Sequence, residues 1–145
     1  MNSADLLPTI SSSLIKAAEL SIVEDAPSTG SILTKLDALL KYTRRGHGDA
    51  RFQEEWNMMT TLLELMRIQY PDRFSYSAEL PDPPPMDFVH RGQYLEDLHN
   101  EILSSMKQSQ GPWCWKLRAT RIGNLAVELT AGCGADTREK LLGEP

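Results

Sequence analysis

Four residues carry the side chains that most often bind transition metals: His90, His99, Cys114 and Cys133. Eight, fourteen and eighteen residues separate them in turn. A zinc site is normally anchored by a short chelating pair of cysteines or histidines that fixes two ligands locally. No such pair exists here, and His47 adds none. The spacing therefore predicts two free cysteines and surface histidines, with no metal and no cofactor.

Nucleophilic chemistry has no clearer basis. Cys114 stands between Trp113 and Trp115, which reads as core. A nucleophile also needs a base and an orienting group, and the chain contains neither a G-x-S-x-G elbow nor an H-E-x-x-H pair. Gly132-Cys133-Gly134 lacks the further glycine and the Lys-Ser/Thr pair of a phosphate loop. Glu54-Glu55 and Glu96-Asp97 are adjacent, so on a helix they diverge and read as solvated faces. The expectation is a protein that is not an enzyme.

Charge points to binding. With 15 Lys+Arg against 20 Asp+Glu the formal net charge is -5, which disfavours a general polyanion binder. Two local clusters run the other way: 41–51, with Lys41, Arg44, Arg45 and Arg51, and 107–121, with Lys107, Lys116, Arg118 and Arg121. Placed on one face they would suit phosphates and stacked bases. Leu36-Asp37-Ala38-Leu39-Leu40 matches a helix-in-groove docking motif. Adjacent leucines on an amphipathic helix assign it to the core instead.

The elements that position these residues follow from periodicity. Leu7, Ile10, Leu14, Ala17 and Ala18, after an Asp5 cap, line one helical face, and Ile32, Leu36, Leu39, Leu40 and Thr43 line a second. Gly46 supplies a left-handed stop. The strongest stripe is Phe52, Trp56, Met59, Leu63, Met66 and Tyr70, capped by Asp49, widened by Leu62 and Leu65 and stopped by Pro71. A fourth, capped by Asp87, carries Leu95, Leu98, Ile102 and Met106. Residues 113–130 read two ways. Trp115, Ala119, Ile122, Ala126 and Leu129 form a helical stripe, whereas Trp113, Trp115 and Leu117 alternate as in a strand before a Gly123-Asn124 turn. The unbroken stripe favours the helix, and an isolated hairpin would be marginal.

The expected fold is an all-α bundle of about five helices in one domain, 1–145. A Pro-rich connector at 71–86 joins helices three and four, and 131–145 is a flexible tail. The alternative is α+β with a C-terminal hairpin. No apolar run approaches membrane-spanning length and the N-terminus has no secretory pattern, so a cytoplasmic location is expected, with the nucleus left open.

The expected role is non-enzymatic protein–protein interaction, as an adaptor or accessory module or by self-association. Its predicted centre is Trp113, Trp115, Arg118 and Arg121, because two tryptophans two residues apart on a helix cannot both face one core. The alternative is a nucleic-acid-associated or capsid- or matrix-type structural protein using Lys41, Arg44, Arg45 and Arg51.

Overall fold

The structure, a computed structural model, describes residues 9, 13–15, 26–46, 48–109 and 111–143. Of the predicted first stripe only Leu14 lies among them, and it is exposed. Asp5, Leu7, Ile10, Ala17, Ala18 and His47 fall outside.

Helix α1 (Ala26–Arg44) buries Ile32, Leu36, Leu39 and Thr43 along one face. Gly46, at φ +75, ends it in the left-handed region, as the sequence predicts. The chain enters β1 (Asp49–Arg51) and at once α2 (Phe52–Gln69). Asp49 is thus a strand residue and not a cap; Arg51 holds the N-cap position without a side-chain bond. Helix α2 buries Phe52, Trp56, Met59, Leu62, Leu63, Leu65 and Met66. That wide stripe lets it pack on α1 and on the elements that follow it. Tyr70, ahead of Pro71, leaves the helical region at φ -129.

The Pro-rich stretch is not a free connector. It begins with β2 (Phe74–Glu79), turns through Pro81 to Pro85, and leads to β3 (Phe88–His90). Phe74 is buried, and Tyr76 and Leu80 pack against the core. Helix α3 (Gln93–Gln108) buries Leu95, Leu98 and Ile102. Its N-cap is Gly92, at φ +87, and not Asp87.

The all-α expectation is overturned beyond this point. Residues 113–133 form a hairpin of β4 (Trp113–Ile122) and β5 (Asn124–Cys133), and the assigned tail supplies β6 (Asp136–Leu142). One sheet has the order β2-β4-β5-β6, with β2 parallel to β4 and the other pairs antiparallel; β1 and β3 form a separate antiparallel ribbon. The hairpin is stable because it is not isolated. Its two outer partners, β2 and β6, come from the segments read as connector and tail. Period two decides the faces: Trp113, Trp115, Leu117 and Ala119 point to the helices, and Cys114, Lys116 and Arg118 point to solvent.

The tryptophan premise falls with the helix. Two residues apart on a strand share a face, so Trp113 and Trp115 are 3% and 0% exposed and sit in the core with Phe74 stacked on Trp115 at 5.7 Å. Gly111 allows the close start of β4. A Cβ there would lie 2.9 Å from the Trp113 nitrogen and 3.1 Å from the Arg73 carbonyl, which itself accepts from that nitrogen. Cys114, expected in the core, is exposed, and His99, expected at the surface, is buried against the Thr9 hydroxyl at 2.5 Å.

Trp115→Ala should lower unfolding free energy by about 3–5 kcal/mol, the range for deleting a buried aromatic, as read by urea denaturation. A second expectation concerns alkali. The Tyr76 hydroxyl donates to Glu64 at 2.8 Å and ties β2 to α2; burial, then the Glu64 bond and charge, push its pKa up to about 12. The neutral phenol stabilises the fold fully below pH ~10, its unperturbed value. That contribution is lost as pH rises from there through about 12. Tyr76→Phe should flatten the fall in stability across this window, measured by denaturation at a series of alkaline pH values.

Candidate functional site

The β1–β3 ribbon covers the N-terminal ends of α2 and α3. Its register places Asp49 opposite His90, Ala50 opposite Val89 and Arg51 opposite Phe88. Two further backbone bonds extend it, Arg91 N to Gly48 O at 2.7 Å and Phe52 N to Asp87 O at 2.8 Å. Alternation then sorts the side chains. Ala50, Val89 and Pro85 turn inward, while Asp49, Arg51, Met86, Phe88 and His90 are exposed.

Behind the ribbon lies the carboxylate of Glu55, with 0% exposure. One oxygen accepts from Gly92 N at 2.9 Å and from the Tyr42 hydroxyl; the other accepts from Tyr94 N and Leu95 N, each at 2.9 Å. These amides are the first orphan donors of α3, so a residue of α2 caps α3. The expectation that Glu55 is a solvated residue is wrong: four donors replace its water. Tyr42 responds. Burial, then the bond to Glu55 and its charge, raise the phenol's pKa above its ordinary value. Tyr94 is raised too, by burial and then by Glu55 and Asp87.

Arg91 secures the other side. Its guanidinium lies 5.7 Å over the Tyr42 ring and donates to the carbonyls of Arg45 at 3.4 Å and Asp49 at 3.3 Å. The ribbon is therefore fixed to α1, α2 and α3 by its backbone, its inward side chains and Arg91, while Met86 and Phe88 project into solvent.

Those outward side chains make the candidate site. Met86 and Phe88 are 78% and 68% exposed. They are two residues apart in extended chain and so project to the same side. The Arg51 guanidinium lies 5.9 Å over the Phe88 ring. Between the two apolar residues Asp87 forms an ion pair with Arg121, which brings the tip of the β4–β5 hairpin to this corner. A shallow cleft of about 250 Å³ adjoins it, lined by Val89, His90, Gln93, Tyr94 and Leu125 among others. The corner offers apolar contact, a stacked guanidinium and a salt bridge, the chemistry of recognition. Among the described residues no group of three or more His, Cys, Asp and Glu is placed to hold a metal.

The predicted site residues are dispersed by this arrangement. Trp113 and Trp115 are core. Arg118 lies on the outer face of the sheet, 3.9 Å from Glu79, and Arg121 reaches the ribbon corner. Lys41 pairs with Asp37 at 2.8 Å, Arg45 lies 3.8 Å from Glu54, and Arg44 is exposed at the end of α1. Arg51 and Arg121, one from each basic cluster, meet on either side of residues 87–88. Met86 and Phe88 were missed because they fell at the boundary between a presumed connector and a presumed helix cap. Alternation of buried Pro85 and Val89 with exposed Met86, Phe88 and His90 is the signal that marks them.

Glu55→Ala should cost at least about 3 kcal/mol, because three backbone amides and a hydroxyl lose their acceptor in the interior. Hydrogen exchange should show the amides of Gly92, Tyr94 and Leu95 losing protection before the rest of α3. Comparison of the chain with known protein families, curated proteins and solved structures finds no match, so the corner is read from its own geometry.

Proposed function

We propose that this chain is a non-enzymatic protein-interaction module, an adaptor or accessory protein, and that the ribbon corner is its docking surface. The observation that carries this reading is the exposure of Met86 and Phe88 beside Arg51 and Arg121 on a rigidly anchored ribbon. Large apolar side chains held out in water by a fixed backbone lose no backbone entropy on binding and gain by burial. Arg51, stacked on Phe88 at their border, suits a partner with an apolar pocket rimmed by carboxylates. The nucleic-acid reading has less support. Lys41, Arg45, Lys116, Arg118 and Arg121 each have a carboxylate within ion-pair distance, which offsets the potential a polyanion would meet. No described helix is long and apolar enough to cross a membrane.

A photo-crosslinking residue at position 88 should capture a partner that the same residue at position 116, on the outer sheet face, does not. Against that partner Met86→Ser with Phe88→Ser should weaken binding by about 2 kcal/mol or more, the hot-spot scale, in calorimetry, with the circular dichroism spectrum retained. Unchanged affinity in the double variant removes the corner from the interface.

A further inference from the structure

We propose that the outer edge of β2 pairs with the same edge of a second copy of this chain, antiparallel and centred on Tyr76, so that the two sheets become one. This uses a different face from the ribbon corner and does not depend on it.

The direction of the backbone comes first. Trp113 N donates to Arg73 O at 2.8 Å, so the polar groups of Arg73 face β4. Along a strand these groups alternate in direction. Those of Phe74, Tyr76 and Ala78 therefore face the outer edge, where β2 ends the sheet. No described residue bonds to them there. Ser75, Ser77 and Ala78 are exposed, and from Phe74 to Ala78 the strand has no charge and no proline. Sheet edges are normally blunted by such residues.

The opposite edge is blunted. On β6, Arg138, Glu139 and Lys140 are consecutive and exposed. If a two-fold copy is to extend the sheet with its helices on the same side, residues of like facing must oppose, so the axis passes through a residue. Through Arg138, Glu139 or Lys140 it places identical charges against each other, which is destabilising.

On β2 the corresponding operation is favourable. Centred on Tyr76, it opposes Tyr76 with Tyr76 and Phe74 with Ala78, the residues whose amides and carbonyls point outward and can bond. Ser75 then faces Ser77, and Arg73 faces Glu79 at both ends. The second contact continues an existing pattern. On the outer sheet face Glu79 is opposite Arg118, and Arg118 is opposite Glu128. Arg73 of the second copy would add a cation beyond Glu79, giving a row of alternating sign. Centred on Ser77 instead, Arg73 would meet Pro81 and this pairing would be lost. The flank of α2 above the edge, with Glu64 and Arg67, is polar and partly open, which leaves room for the approach.

The test is the mass of the full chain by light scattering and sedimentation over a range of concentrations. A concentration-dependent dimer is expected. Ala78→Pro removes an outward N–H that carries no bond to β4, so the monomer should stay folded by circular dichroism while dimer dissociation rises by about tenfold or more. A chain that stays monomeric at its highest soluble concentration overturns the proposal. So does a dimer that survives Ala78→Pro in a folded protein.

Discussion

A carboxylate with no exposed surface is tolerated only where donors replace the water it has lost. Glu55 meets that condition with donors from outside its own helix: the Tyr42 hydroxyl of α1 and the amides of Gly92, Tyr94 and Leu95 at the start of α3. The positive end of the α3 dipole faces the same charge. One side chain therefore sets the positions of three helices relative to one another. It also fixes the exit of β3, because Gly92 follows that strand by one residue beyond Arg91. Movement of any one of these elements would leave several buried polar groups unmatched, which gives the corner its definition.

The legible parts of the fold were the long periodic ones. The stripe from Phe52 to Met66, its stop before Pro71 and the Gly46 turn were all readable, because period and punctuation agree there. The same was true of Leu95, Leu98 and Ile102. The C-terminal half was misread where two periods fit one segment. Trp113, Trp115 and Leu117 alternate, but Trp115, Ala119 and Leu129 also satisfy a helix. The deciding fact was non-local: whether partner strands existed on both sides. β2 was hidden among prolines and β6 among charges, so neither carried the alternating apolar signature of a strand. The predicted site fails for the same reason: a helical reading puts Trp113 and Trp115 on different faces, whereas the strand buries both. Glu55, adjacent to the exposed Glu54, has nothing in its local sequence that marks it as buried.

The segment from Phe74 to His90 contributes both to the core and to the exposed surface. Its inward residues, Phe74, Pro85 and Val89, belong to the core or the ribbon base. Its outward residues provide one uncharged sheet edge and one apolar corner. The prolines between the two, Pro81 and Pro83 to Pro85, restrict the extended backbone that leads into β3.

The parallel pairing of β2 with β4 has a consequence for how the chain reaches this state. β4, β5 and β6 follow one another through short turns, and their contacts are local. β2 is separated from β4 by β3 and the whole of α3, so its place in the sheet requires closure of a long loop that hairpins avoid. The meander and α3 can assemble first, with Trp113 and Trp115 still uncovered on one flank until Phe74 arrives. For that interval the β4 edge of β4–β5–β6 is open and one flank of Trp113 and Trp115 lies in water. The docking of β2 is thus the step that closes the core, and the rate of that closure sets how long the nascent sheet is open to association with the wrong strand.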